Sequence, residues 1–600
     1  MPGNALRGFY RFGRFRLDPT GRVLSWADRT IPLPPKAAGT LLMLVQNAGN
    51  VVEKDELLRR VWQDTIVEEG SLTRAISMLR KALQDGADGQ KFIITIAKQG
   101  YRFAAKVEME EVKAQSSALA EAKIMLAVLP FQNLSSNPEQ EYFSDGLTEE
   151  MITQFARLSP DRLGIIARTS AMRYKSTTMT IGQIGKELNV AYIVEGSVRR
   201  VGERVRISAQ LIRVSDEVQV WAESYQRNLD DLLALQAEVA RAVGQEIKLK
   251  LNAGERKRLD LDKGRSVHPQ AHELYLLGRH FWNKRTEEGM KKSVECFEGA
   301  LQHDTAYAAA YDGISDAYTM LACRGIMPAA EAFHIAKAAA RQAVRLEPEL
   351  GEGHASLAHV RLHDWDWVGL EEDFQRALDL NPSNVIAHYW FAEYLMAMGR
   401  AEEAVARVTQ AQRMDPVSPL FSASVGMVLY LAREFDPAIS VLRKALEVDP
   451  NHFLLHFRLG LVYAQKRLAK EAVAAMQQAV RLSGRSTETL TGLAHAYAAS
   501  GKKTEAQRIL DDLVQPGNPY VSPYDMARAY AMLGDKAHVF QWLHKAYDEH
   551  NPDLIELKTE PCFEIFHAHP EFQKLTSRIG WADQRGASGA LGTRRARRAP

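Results

Sequence analysis

The sequence has few cysteines and no long apolar run, and both absences narrow the class of protein. Its three cysteines in 600 residues, Cys296, Cys323 and Cys562, are widely spaced and odd in number. Reduced thiols explain them better than a disulfide framework or a metal knuckle. No apolar run approaches the roughly 18–20 residues that cross a bilayer, and the Arg- and Gly-rich start does not resemble a signal peptide. We therefore expect a cytoplasmic protein without membrane segments.

Residue arrangements typical of enzymes are also missing. There is no Ser-His-Asp, Cys-His or HExxH spacing, and Gly182-x-x-Gly185 is not followed by the Gly-Lys-Ser/Thr of a phosphate loop. The acids at 145, 149 and 150 stand at a predicted helix start, where capping and the helix dipole favour carboxylates. His363-Asp-Trp-Asp-Trp367 looks like a metal or aromatic site, but it lies between two predicted helices, which favours packing. The sequence predicts no catalysis, no cofactor and no metal.

Charge is nearly balanced overall, at +2, but it is unevenly distributed. Residues 1–107 hold 17 Lys and Arg against 10 Asp and Glu, whereas residues 108–584 hold 54 against 64. Five more arginines lie in 585–600. A basic N-terminal region followed by an acidic region concentrates the attraction for phosphate in the first 107 residues. Because a chain of 600 residues is too long to fold around one hydrophobic core, we expect three or more domains.

The first hundred residues have the pattern of strands, three helices and a hairpin. The predicted strands are 10–17, 22–26 and 30–33, the helices 35–47, 53–62 and 71–83, and the hairpin 92–103. The apolar residues of the third helix recur at i, i+4, i+7 and i+11, which places them on one face; they are Leu72, Ile76, Leu79 and Leu83. The opposite face carries short polar and cationic side chains, which suit the DNA major groove. The order predicts a winged helix-turn-helix of α+β class.

Three stretches resemble the DNA-binding domain of OmpR/PhoB-type regulators: Asp55-Glu-Leu-Leu58 with Trp62, the helix 72–83, and Gly100-Tyr-Arg-Phe103. The resemblance implies that 71–83 is the recognition helix and that the hairpin is the wing. The implied DNA-binding residues are Ser71, Thr73, Arg74, Ser77, Met78, Arg80, Lys81 and Lys98. Arg74, Ser77 and Met78 would face bases, and Ser71, Arg80 and Lys81 would lie near phosphates. For Met78, packing in the core is an equal alternative.

The sequence departs from this family in two respects. The family often has Arg-Gly-x-Gly-Tyr at the wing, whereas this chain has Ala97-Lys-Gln-Gly-Tyr101, so Lys98 is the expected wing cation. The family's receiver domain is missing, and control by a signal is expected to come from the domains C-terminal to the winged helix. CadC-like members place a transmembrane helix there. Here, residues 108–123 are polar and too short to span, so we expect a linker.

Residues 124–252 alternate between strand and helix patterns, which predicts a central α/β domain. Three segments of it resemble the TolB amino-terminal-like domain: Leu129-Pro-Phe-Gln-Asn-Leu134, Tyr142-Phe-Ser-Asp-Gly-Leu-Thr-Glu149 and Tyr192-Ile-Val-Glu-Gly-Ser-Val198. The resemblance implies a small module without catalysis, used for dimerisation or ligand sensing.

The second half repeats every 34 residues. The breaks are Pro348, Pro382, Pro416 and Pro450, with Gly484 in the next position. Small residues recur in register, five and twenty-four positions before each break: Ala377, Ala411, Ala445 and Ala479, and Ala358, Ala392, Gly426 and Gly460. This period is the tetratricopeptide (TPR) signature. It predicts an all-α TPR superhelix over 265–580, with about nine residues inserted around 323–332, and a disordered basic tail over 581–600.

Two functions are consistent with these observations. The first is a bacterial, sequence-specific transcriptional regulator whose winged helix reads promoter DNA, with a homodimer on repeated half-sites as the arrangement that would add specificity. Its TPR array would bind a protein or peptide on the concave face. The second is a TPR assembly scaffold whose winged helix docks a protein or tethers DNA without sequence preference. Arg74 and Ser77, available for bases, favour the first.

Overall fold

The computed structural model describes residues 8–18, 23–26, 29–31, 33–61, 69–83, 91–97, 99–111, 123–135, 137, 140–228, 231–247 and 267–581. It divides into two compact units, residues 1–120 and 121–600. None of the described helices is long and apolar enough to cross a membrane.

The first unit is a winged helix-turn-helix, which confirms the prediction. Its elements are β1 (Gly8–Phe12), β2 (Phe15–Asp18), β3 (Val23–Trp26), β4 (Arg29–Ile31), α1 (Pro35–Gln46), β5 (Val51–Glu53), α2 (Lys54–Val61), α3 (Glu69–Ala82), β6 (Ile93–Ile96), β7 (Gly100–Phe103) and β8 (Glu108–Glu111). The leading sheet is antiparallel, in the order β4-β3-β2-β1-β8, and the wing sheet has the order β5-β7-β6. Phe12 and Phe103 pack edge to face at 4.9 Å, so the leading sheet and the wing share one core.

Three details of this unit differ from the sequence prediction. The predicted strand 10–17 is two strands, because Gly13 adopts a φ of 54° and reverses the chain. Strand β5 was not predicted, and it pairs with β7. The predicted linker 108–123 is wrong at its start, since β8 pairs with β1. The pairing is made by backbone groups, which the polar sequence of 108–111 did not reveal.

The second unit begins with the predicted central α/β domain. Its elements are β9 (Ile124–Val128), β10 (Gln132–Asn133), α4 (Glu141–Leu158), β11 (Leu163–Ile165), α5 (Arg168–Ala171), α6 (Ile181–Leu188), β12 (Tyr192–Val201), β13 (Arg204–Arg213), β14 (Val218–Asn228) and α7 (Leu232–Glu246). Strands β11, β9 and β12 are parallel, and β12, β13 and β14 continue the sheet antiparallel. Short strand β10 pairs with β12. The parallel part is buried and apolar, as parallel sheets usually are.

Antiparallel helix pairs form the rest of the described chain, which confirms the all-α repeat prediction. The helices are α8 (Pro269–Asn283), α9 (Glu287–His303), α10 (Ala308–Cys323), α11 (Ala329–Leu346), α12 (Gly351–His363), α13 (Leu370–Leu380), α14 (Val385–Ala397), α15 (Ala401–Gln412), α16 (Pro419–Leu431), α17 (Phe435–Val448), α18 (Phe453–Gln465), α19 (Ala469–Leu482), α20 (Thr487–Ala499), α21 (Lys503–Leu513), α22 (Pro523–Leu533), α23 (Lys536–Asp548) and α24 (Pro570–Arg578). Two 3-10 turns, Pro552–Glu556 and Pro561–Phe566, precede α24.

The positions predicted to need small side chains are the places where helices cross closely. A Cβ on Gly426 would lie 2.6 Å from Leu442 Cδ2, and one on Gly460 would lie 2.7 Å from Met476 Cγ. The predicted insertion is distributed differently from our expectation. It lengthens the second helix pair, α10 and α11, which have 16 and 18 residues. The helices of the third pair, α12 and α13, have 13 and 11. Extra helical turns stay buried, whereas a loop of that size would not.

The segment His363-Asp-Trp-Asp-Trp367 packs against the end of the array. The Trp365 ring stacks on His550 at 3.9 Å, and Trp367 Nε1 donates a hydrogen bond of 2.8 Å to Ile579 O. Trp581 lies 5.8 Å from Trp367 and is buried. The predicted tail therefore cannot begin at 581; its remainder, 582–600, lies outside the described residues.

Candidate nucleic-acid interface and repeat array

Helix α3 buries one face and exposes the other. Leu72, Ile76 and Leu79 are fully buried against the core of the first unit. Six of the predicted DNA-binding residues are exposed: Ser71, Thr73, Arg74, Ser77, Met78 and Lys81. The hydrophobic period that predicted this helix also predicted which side faces outwards.

Met78 and Arg74 show what this face offers to a ligand. Met78 is 43% exposed, which excludes the alternative that it packs in the core. An apolar side chain on an exposed polar face can contact a thymine methyl group. Among the described residues, no hydrogen bond or ion pair engages the Arg74 guanidinium, so its donors are available. Base edges in the major groove present acceptors that match them.

Arg80 is placed differently from the other predicted contacts. Its guanidinium donates hydrogen bonds to Ile93 O at 3.0 Å and to Thr95 Oγ1 at 2.8 Å, both in β6. Arg80 therefore joins the helix to the wing, a role that the sequence did not indicate. Lys98, the predicted wing cation, lies outside the described residues. Close by, a Cβ on Gly100 would lie 2.0 Å from Val52 O, so the glycine lets β5 and β7 approach.

The central domain is docked on the turns between successive repeats. The Asp415 carboxylate accepts hydrogen bonds of 2.6 Å from Thr169 Oγ1 and from Ser170 Oγ. One repeat earlier, Ser383 Oγ accepts a 3.3 Å hydrogen bond from Ile165 N. One repeat before that, Arg157 and Glu352 form an ion pair at 2.7 Å. Three consecutive repeats thus each contact the same domain.

The inner face of the array carries a segment of its own chain. The turn Pro552–Glu556 contacts α10, α12 and α14, the first helices of three consecutive pairs. Farther along, the fully buried Glu560 accepts a 2.5 Å hydrogen bond from Tyr430 and lies 3.7 Å from Arg528. Part of the concave surface on which we predicted a partner is therefore covered intramolecularly.

The acids that could have formed a catalytic pair have partners instead. Glu149 forms ion pairs with Arg279 at 2.6 Å and with Arg168 at 3.0 Å. Glu150 accepts a 2.6 Å hydrogen bond from Gln236 and contacts His272 at 2.7 Å. The cations beside Glu149 lower the pKa of its carboxyl group despite its burial. These carboxylates join α4 to α7 and α8. They lie inside α4, which begins at Glu141, so the prediction that they stand at a helix start is wrong.

The chain thus combines a winged helix-turn-helix, the fold of many DNA-binding domains, with an array of TPR repeats. Family comparisons agree. Residues 28–103 match the family described as transcriptional regulatory protein, C terminal. Residues 122–242 match the HilA/YgeH-like transcriptional regulator, second domain. Tetratricopeptide repeats match at 371–419, 391–451 and 425–486. The central match carries another description than TolB, so that resemblance stays a prediction.

Individual relatives cover different parts of the chain. The transcriptional regulator HilA of Salmonella typhimurium is 24% identical over 430 residues, 71% of this chain and 74% of HilA. The transcriptional activator CadC of Escherichia coli is 31% identical over 142 residues, 22% of this chain and 28% of CadC. A Rhizobium meliloti protein, whose name proposes adenylate cyclase activity for it, is 33% identical over 307 residues. This match spans half of the present chain and 44% of that protein.

A solved structure with a similar part is the DNA-binding domain of Escherichia coli CadC. It is 31% identical, covers 18% of this chain and 99% of that domain, and has a TM-score of 0.16.

Proposed function

We propose that this protein is a sequence-specific regulator of transcription in a bacterial cytoplasm, in which α3 reads promoter DNA and the repeat array binds a protein or peptide. The observation that carries the proposal is the outer face of α3. Arg74, Ser77 and Met78 form a hydrogen-bonding and apolar surface on an exposed helix, which a winged helix used only for protein assembly does not require. Homodimers on paired half-sites would supply the specificity that one helix lacks.

The proposal assigns the array a regulatory role. A partner that binds the repeats changes the turns that hold the central domain, because Asp415 and Ser383 belong to those turns and contact it directly. A partner on the inner face must also displace or extend the segment around Pro552–Glu556. No catalytic role is proposed, since the acids of α4 are engaged in ion pairs.

The decisive experiment is selection of genomic fragments on the purified full chain at near-physiological salt, followed by sequencing. We expect a recurring motif, and we expect Arg74→Ala to weaken binding to that motif by about 1–3 kcal/mol and to relax preference at one position. Uniform enrichment that vanishes as salt rises would instead favour the scaffold with a non-specific anchor.

Lys81→Ala is the matched comparison, since it removes the same charge from the same helix. As a phosphate contact it should weaken all sequences alike and reduce the slope of log affinity against log salt by about one. Arg341→Ala removes an exposed charge from the array and should change neither quantity. Equal behaviour of Arg74→Ala and Arg341→Ala would refute the assignment of Arg74.

A further inference from the structure

Two histidines and one carboxylate converge on the inner face of the array. His359 and His363 lie one turn apart on α12, and Glu393 lies on α14 of the next pair. One ligand atom of each lies within 4.8 Å of the others. The histidines are 4% and 6% exposed. The first helices of two repeats thus bring three potential metal ligands to one point.

Contacts around the histidines orient both rings. His363 Nδ1 lies 3.2 Å from Pro552 O, a backbone acceptor, so Nδ1 carries the proton and Nε2 keeps its lone pair. Metal-bound histidines almost always donate their second ring nitrogen in this way. The His359 ring stacks on Trp390 at 3.9 Å and 9°, which fixes its plane. Among the described residues, the His359 ring nitrogens have no hydrogen-bond partner.

Two half-buried acidic side chains, Glu393 and Asp553, lie together at the cluster. The Asp553 carboxylate stands close enough to that of Glu393 for the two negative charges to repel each other. Arg458 faces both carboxyl groups, Arg528 also faces Asp553, and Tyr389 hydrogen-bonds to Glu393. Removing a carboxylate from water is costly unless a cation compensates it. A divalent ion at the cluster would supply that charge.

We propose that His359, His363 and Glu393 bind a divalent transition-metal ion, with Zn²⁺ as the species that fits best. Two imidazole nitrogens and one carboxylate oxygen are a known zinc ligand set, and a water completes the tetrahedron. Ligand atoms of such a site are about 3.3 Å apart, so the three atoms, which lie within 4.8 Å of one another, come together by side-chain adjustments of about 1.5 Å or less. The ion joins α12 to α14. This inference does not depend on DNA binding.

The test uses full-length protein without a histidine tag, stripped with a chelator and then titrated with Co²⁺ and Zn²⁺. We expect one equivalent of Co²⁺ per chain, visible absorption typical of tetrahedral Co²⁺, and its displacement by Zn²⁺. The melting temperature should rise on metal binding. Glu393→Gln and His359→Gln should each weaken binding at least about tenfold. His354→Gln, on the same helix but outside the cluster, is the matched control.

The wild-type titration alone decides the inference, even if a variant folds poorly. Stripped wild-type protein that takes up no Co²⁺ or Zn²⁺ at micromolar concentration would overturn it. Binding that is equally tight in Glu393→Gln, His359→Gln and His354→Gln would place the ion elsewhere and overturn it as well.

Discussion

Ser170 and Asp415 share a hydrogen bond of 2.6 Å, although they lie 245 residues apart in the sequence. Thr169 donates a second bond of the same length to this carboxylate, and Val417 N donates to Ser170 Oγ at 3.1 Å. Desolvation raises the pKa of Asp415 to about 6. This buried group therefore depends on its hydroxyl partners, and it connects a turn between two repeats to the start of α5.

Asp415→Ala should release the central domain from the repeats. The variant removes the acceptor of the buried Ser170 hydroxyl group and of the half-buried Thr169 hydroxyl group, and a buried group left unsatisfied costs about 1–3 kcal/mol. We expect faster hydrogen exchange over 165–174, measured by mass spectrometry, while the exchange of α20 to α23 is unchanged. Asp449→Ala is the control, because Asp449 holds the same register one repeat later and bonds only its own turn, at Asn451 N. Equal exchange over 165–174 in both variants would contradict the docking role.

Arg80→Lys should separate charge from geometry at the junction of helix and wing. Lysine keeps the positive charge, but its ammonium ends one bond short of Nη2, the single nitrogen from which Arg80 donates to both Ile93 O and Thr95 Oγ1. We expect protection of the β6 and β7 amides to fall and specific DNA affinity to fall with it, while the salt dependence of binding is retained. If Arg80 contributes only attraction to phosphate, Arg80→Lys will bind specific DNA as the parent does.

Gly426→Val should force two helices of one repeat apart. Its side chain would overlap Leu442, whose Cδ2 lies 2.6 Å from the position of an added Cβ. Overpacking of this kind costs about 1–3 kcal/mol, and the gain of a few tenths of a kcal/mol in helix propensity from glycine to valine offsets only a small part of it. The urea midpoint of the array should therefore fall. The second substitution Leu442→Ala, which makes room, should recover part of the loss relative to the sum of the single variants; strict additivity would show that the two sites do not touch.

Local sequence patterns predicted much of this fold. The features that they did not predict depend on contacts between residues far apart in the sequence. The stripe Leu72 to Leu83 predicted both the helix and the exposure of Arg74, and the 34-residue period predicted the helix pairs. Strand β8 was not predicted, because β8 pairs with β1 through backbone groups and its own side-chain pattern does not indicate a strand. Arg80 was assigned to phosphate because a helix pattern contains no information about the wing. The contact of Asp415 with Ser170 likewise leaves no periodic signal, since it joins elements of different domains.

His388 should make the array sensitive to acid. Its ring is 2% exposed, Nε2 lies 3.0 Å from Pro382 O, and burial, with Arg407 and Lys123 nearby, lowers its pKa to about 4. The folded chain keeps the imidazole neutral, whereas the unfolded chain binds a proton below the ordinary pKa of about 6.5. Its contribution to stability is therefore complete above pH 6.5 and decreases as the pH falls towards 4, by about 3 kcal/mol in all. His388→Gln, which can still donate to Pro382 O, should lose less stability over this window. Urea unfolding of both proteins at pH 7.5 and at intervals down to 4.5 measures the difference, and parallel profiles would show that His388 does not titrate on unfolding.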